Sequence, residues 1–282
     1  ATDTFNVAVG YNAGGAVTTG RLNTLVGANT GDAITTGFDN VAIGRSALTT
    51  EDTGRKNVAI GSSALESQNS DADNLNVAVG FEAGKEVTTG IQNTIIGGSA
   101  GDSLTDADFN TAVGFDALAA DTLGSKSTAM GRSALSSQNF TSATDSFNTA
   151  VGYFAGAGLQ TGTDNTLIGG LCGDAITDGN TNTAVGSYSL TTNQRGDRNT
   201  AIGHEALKVM NPSGDVDTLN TAVGYQAGVA VTTGVQNTFI GGSCANSVSS
   251  GNFNTVIGMG GLGNVTTGEN CIGIGNGTTT SA

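Results

Sequence analysis

The chain has 282 residues, 45 of them glycine, with one proline, no tryptophan and only 12% charged residues. So much glycine without a three-residue period excludes collagen, and so little charge argues against plain disorder. A formal net charge of −14, from 24 acidic and 10 basic residues, excludes nucleic acid as a partner, because that affinity rests on Lys and Arg neutralising phosphate.

No stretch approaches the apolar length of a membrane span. The sequence starts at Ala1 without Met or a signal-peptide pattern, and is expected to be a processed chain or a piece of a longer one. Cys172, Cys244 and Cys271 are odd in number and widely spaced. They give neither a disulfide framework nor a zinc pair, and are expected to be small buried fillers.

Self-similarity is the main signal. The pentad Asn-(Thr/Val)-(Ala/Leu/Ile)-(Val/Ile)-Gly begins at Asn6, Asn23, Asn40, Asn57, Asn76, Asn93, Asn110, Ser127, Asn148, Asn165, Asn182, Asn199, Asn220, Asn237 and Asn254, with a degenerate copy from Asn270. The starts are 17 residues apart, except for gaps of 19, 21 and 21 after the fourth, eighth and twelfth units and 16 before the last. A longer period therefore sits on the shorter one. The chain reads as a single repeat rod over 1–282, with four-turn modules at 6–75, 76–147, 148–219 and 220–282.

Each pentad is a predicted strand of β-branched and small residues, closed by a Gly free to take positive φ. Thr-Thr-Gly, as at Thr18 to Gly20, predicts a second corner, and no segment carries a helical period. Within a module, first units follow the pentad with an aromatic (Tyr11, Phe81, Tyr153, Tyr225), and second units enlarge the third pentad residue (Leu25, Ile95, Leu167, Phe239). Third and fourth units mostly place Leu four residues past the pentad Gly, as at Leu48 and Leu65. First and second units usually have Gly there and an aliphatic three residues later, as at Val17 and Ile34. The apolar filler changes place but is seldom lost.

Seventeen residues suit one turn of an all-β, parallel β-solenoid or β-roll. About sixteen such turns at ~4.8 Å give a rod roughly 75 Å long. Stacking would bring the pentad asparagines into register, so Asn6, Asn23, Asn40, Asn57, Asn76, Asn93, Asn110, Asn148, Asn165, Asn182, Asn199, Asn220, Asn237 and Asn254 are expected to form a hydrogen-bonded amide ladder. Alternate strand residues face opposite sides. Both faces of the pentad are apolar, so one is expected to fill the coil and the other to pack against a partner chain. The expected assembly is a homo-oligomer, preferably a trimer, with Leu25, Ile95, Leu167 and Phe239 in its shared core.

Units such as Asn-Thr-Ala-Val-Gly-Tyr-Gln-Ala-Gly from Asn220 and Asn-Val-Ala-Ile-Gly-Ser-Ser-Ala-Leu from Asn57 resemble repeats of phage tail-fibre-type proteins. The pentad is also similar to the head repeats of trimeric autotransporter adhesins, which form a trimeric left-handed β-roll from a shorter repeat. The likeness covers nearly the whole chain. Tail-fibre-type proteins often end in an intramolecular chaperone domain; none is expected within this sequence, so the likeness implies a structural, attachment-serving shaft segment or matured fibre. Its implied place is a virion or cell surface.

The chemical motifs are weaker. Gly258-Met259-Gly260-Gly261-Leu262-Gly263 fits G-x-G-x-x-G, but a dinucleotide site needs a helix next, and Asn264 to Gly268 reads as another corner. His204 is the only histidine and sits where other units have Arg45, Ser62 or Arg132, which suggests an exposed corner. Asp32, Asp102 and Asp174 recur in second units; isolated within their turns, they read as solvated charges rather than calcium ligands. Tyr11, Phe81, Tyr153 and Tyr225 suit sugar stacking, though gap-filling is the favoured reading. The inserts 66–75, 136–147 and 208–219, the last with Pro212, are the candidate contact loops.

The reading is a non-enzymatic structural fibre or shaft of a virion serving host attachment, without catalytic, cofactor or metal residues. Its partners are other copies of itself, other virion or cell-surface proteins and, as a further candidate, a host glycan. The alternatives are a bacterial surface adhesin rod and an ice-binding solenoid. The latter needs Thr on every turn, and Asp52, Gln68, Asp121, Asn193 and Asn211 interrupt the Thr-Thr-Gly row.

Overall fold

A computed structural model describes residues 4–278 as an all-β chain, without helix among those residues. It is a parallel β-solenoid whose turns come in two compact units, Ala1–Ser146 and Phe147–Ala282. The first unit contains β1 (Val7–Val9), β2 (Thr24–Val26), β3 (Val41–Ile43), β4 (Val58–Ile60), β5 (Val77–Val79), β6 (Thr94–Ile96), β7 (Thr111–Val113), β8 (Gly124–Ser125), β9 (Thr128–Met130) and β10 (Thr144–Asp145). The second contains β11 (Thr149–Val151), β12 (Thr166–Ile168), β13 (Thr183–Val185), β14 (Gly196–Asp197), β15 (Thr200–Ile202), β16 (Val216–Asp217), β17 (Thr221–Val223), β18 (Thr238–Ile240), β19 (Thr255–Ile257) and β20 (Ile272–Ile274).

The three-residue strands are the middle residues of the pentads, except that the last repeat begins at Cys271 rather than Asn270. Ile272 pairs with Thr255, and the Cys271 N–H meets Asn254 Oδ1, so the spacing of 17 is kept. Within each compact unit, each three-residue strand pairs in parallel with the next at the same repeat position, as in Val7 with Thr24, Ala8 with Leu25 and Val9 with Val26. Identical units placed in identical register need no side-chain adjustment between turns, so one local solution serves throughout.

The pentad Gly is required by the corner that follows. Gly27 has φ +144, and a Cβ there would lie 2.4 Å from the Gly44 carbonyl oxygen of the next turn. A further left-handed residue recurs four positions past that Gly, either as Gly (Gly14, φ 60) or as Leu (Leu48, φ 54). The alternation seen along the sequence now has a cause. A Cβ on Gly14 would stand 2.8 Å from Leu25 Cδ1, and one on Gly31 would stand 2.8 Å from both Ile34 Cδ1 and Leu25 Cδ2. Where the third pentad residue is Ala in both the turn and the next, as at Ala42 and Ala59, Leu48 and Leu65 fill the coil instead.

This packing corrects one expectation. Leu25, Ile95, Leu167 and Phe239 are fully buried inside their own coil, so they are not lining residues of a core shared between chains. The third pentad residue points inward, into space that glycines of neighbouring corners leave open. The residues on the outer face are the second and fourth, and Ile96, Met130, Ile168 and Ile240 are exposed there.

The inserts are not free loops. β8 pairs with β10 and β14 with β16 in short parallel ladders, and Arg55 bridges Asp73 in the same way. Each ladder is clipped by an ion pair: Lys56–Asp73 at 2.6 Å, Lys126–Asp145 at 2.5 Å and Arg198–Asp217 at 2.5 Å.

Candidate functional site

Most pentad asparagines form two hydrogen bonds of different kinds; Asn57, whose Nδ2 lacks a partner, is an exception. Asn23 Oδ1 accepts the backbone N–H of Asn40 at 3.0 Å, while its Nδ2 donates to the Gly37 carbonyl at 2.9 Å. Asn93 repeats this with the Asn110 N–H at 2.8 Å and the Ala107 carbonyl at 2.7 Å. One side chain thus joins three strands of backbone: its own, the next pentad and the Thr-Thr-Gly corner. The bonding is mainly side chain to backbone, rather than the amide-to-amide ladder expected. Amide-to-amide contacts are added in the second unit, such as Asn199 Nδ2 to Asn182 Oδ1 at 3.0 Å. Ser127 keeps the backbone half of the pattern, donating its N–H to Asn110 Oδ1. These side chains are structural and, Asn6 apart, buried.

A second polar system lies under the inserts. Fully buried Glu51 accepts from Gly54 N–H at 2.6 Å and from Asn74 Nδ2 at 3.1 Å. Burial pushes its carboxyl above the ordinary carboxylate range, against the pull of those donors. The matching residue Asp121 accepts from Gln138 Nε2 at 2.6 Å, and Asn193 does the same work for Gly196 without a charge. Positions that elsewhere hold an aliphatic thus carry a self-contained polar core at the insert-bearing turns.

Asp32, Asp102 and Asp174 are half-buried rather than solvated. Asp32 accepts from Asn12 Nδ2 at 3.1 Å and from the Thr49 hydroxyl. Burial raises the carboxyl pKa of Asp102 and Asp174. Among the described residues, no three His, Cys, Asp or Glu side chains group as metal ligands. Gly258 to Gly263 forms the same strand-end corner as other turns, with no helix after it. The buried thiols Cys172 and Cys244 are pushed up to about 11 by desolvation, which makes them poor nucleophiles.

The aromatics are where the structure departs most from gap-filling. Tyr11, Phe81, Tyr153 and Tyr225 are all exposed, Tyr225 by 56%. His204, on its exposed corner, stacks on Tyr225 at 5.6 Å and 12°, and Tyr188 meets His204 edge-on at 5.9 Å. Beside them Glu205 accepts from Lys208 Nζ and from Gln226 Nε2, both at 2.6 Å. Lys208 is the first cause holding the Glu205 carboxyl below its usual range.

Reading the sequence missed this cluster, because Tyr188 stands one position off the other aromatics and joins them only through a neighbouring turn. It also missed the insert ion pairs. Their signal was present: Lys56, Lys126 and Arg198 each precede a fourth-unit pentad, and Asp73, Asp145 and Asp217 each stand three residues before the next module.

A scan of family models gives no match to the chain, and searches of curated proteins and of solved structures find no similar protein.

Proposed function

We propose that the chain is a structural rod, the fibre or shaft of a virion appendage, that associates with copies of itself and serves attachment. The observation that carries this reading is the outer face of the pentad sheet. In each unit, eight turns present β-branched or other apolar side chains outward at the fourth pentad position, with Ile96, Met130, Ile168 and Ile240 exposed. Eight strands at ~4.8 Å, each about 10 Å long, make a strip of roughly 400 Å² per unit. Each strip by itself is about half of the ~800 Å² that one partner buries in a standard interface. A bacterial surface adhesin rod is supported by the same observation.

The test is the native mass by sedimentation, alongside Ile168→Asp. A homo-oligomer, preferably a trimer, that dissociates in this variant while the coil stays folded is the expected result. A folded wild-type monomer at micromolar concentration overturns it.

One observation favours the ice-binding alternative as a second reading. The register of Thr lies not at the Thr-Thr-Gly corners but at the second pentad position. There Thr149, Thr166, Thr183, Thr200, Thr221, Thr238 and Thr255 follow one another on adjacent strands of the second unit, beside outward Val and Ile. A monomer with thermal hysteresis supports this reading; an oligomer without it supports the rod.

A further inference from the structure

We propose that the second unit carries a shallow sugar-binding platform. The ring column Tyr188–His204–Tyr225, rimmed by Glu205, Lys208 and Gln226, takes a pyranose ring of a neutral glycan above Gly242. This deepens the attachment part of the reading above, and is separable from self-association.

His204 and Tyr225 each follow a pentad Gly on adjacent turns, so the coil itself sets their stacking. The next place in that column is Gly242. Its turn lies directly against that of Tyr225: a Cβ on Gly224 would sit 3.2 Å from Gly242 N. A Cβ on Gly242, by contrast, would meet nothing within 4 Å. The column therefore stops one ring short, and the missing step is open to solvent. The corresponding step beyond Phe81 in the first unit is occupied, since a Cβ on Gly98 would be 3.5 Å from the Phe115 ring.

A turn spacing of ~4.8 Å lies within the ~4.5–7 Å at which rings pack face to face or offset. A ring entering the vacant step thus continues the stack. The rim defines what kind of ring. Glu205 is fixed between Lys208 and Gln226 and faces His204 Nδ1 at 4.0 Å, which leaves the Gln226 carbonyl and His204 Nε2 beside the column to meet hydroxyl groups. A ligand that is apolar on one face and hydroxylated at its edge matches both features, and a pyranose is such a ligand. The ionised Glu205 and the net charge of −14 favour a neutral sugar over an acidic one.

The experiment is saturation-transfer NMR on the full chain with maltohexaose, cellohexaose, chitohexaose and a galacto-oligosaccharide, each raised to about 10 mM, an affinity scale suited to an open site. At least one is expected to bind. Tyr225→Ala should weaken it about tenfold or more. Gly242→Phe, which places the chain's own ring in the vacant step without a backbone clash, should do the same while leaving the melting curve intact. Tyr11→Ala should leave binding unchanged. The proposal is overturned if none of the four sugars binds, or if binding survives both Tyr225→Ala and Gly242→Phe. Native mass measured on the same samples reports separately on the rod.

Discussion

Replacing Asn93 by Ala probes the bond system that joins every turn to the next. The side chain is 1% exposed and makes two hydrogen bonds, from the Asn110 N–H at 2.8 Å and to the Ala107 carbonyl at 2.7 Å. Each is worth about 1 kcal/mol net, and an orphaned buried donor adds roughly 1–3 kcal/mol, so a loss of about 3–5 kcal/mol is expected. Water has little route to the freed Asn110 N–H, since Asn110 is itself only 1% exposed. Urea unfolding measures the global loss. Because repeat arrays open locally, hydrogen exchange at the Asn110 amide gives the sharper reading and should accelerate about 30-fold or more. Asn93→Asp is the companion variant. It keeps the acceptor but buries a charge and loses the donor, so its deficit should shrink as pH falls toward the unfolded value of ~4, where a protonated Asp can donate again. Unchanged melting and unchanged Asn110 exchange in Asn93→Ala would refute the inter-turn role.

Glu51→Gln should stabilise the protein at pH 7 by about 1–3 kcal/mol, the scale of desolvating a buried polar group. Burial raises the folded-state pKa above the ordinary 4.5, so the folded chain holds a proton that the unfolded chain releases. Stability from this group therefore falls as pH rises from 4.5 through the raised value, and the advantage of Gln should vanish in urea melts near pH 4.5. Gln Oε1 can keep the Gly54 N–H, and the Asn74 amide can turn its unpartnered Oδ1 toward the new Gln Nε2; the long Ser70 N–H contact at 3.4 Å is given up. Gly27→Ala should cost ~3 kcal/mol or more in a thermal melt, because φ +144 is strained for any side chain and the Cβ meets a carbonyl at 2.4 Å. Leu25→Ala should cost about 2–5 kcal/mol as a core cavity while leaving the native mass unchanged. A change of mass in that variant would return Leu25 to an intermolecular role.

The pentad spacing alone establishes strand position, register and turn count, because a unit repeated at constant length has one economical way to stack. The Asn in each unit likewise announces an inter-turn bond, since a buried amide needs partners and the next copy supplies them. Sidedness was beyond it. Both faces of Val-Ala-Ile or Thr-Leu-Ile are apolar, so alternation cannot say which is inside. Only the left-handed corners, with Gly14 and Gly31 against Leu25, turn the third residue inward and leave Ile96 or Ile168 outside. The tertiary structure also decided what the inserts do, because Asp73 finds Lys56 only after a full turn has closed. For the same reason, Tyr188, His204 and Tyr225, 16 and 21 residues apart in sequence, become one column only when their turns stack.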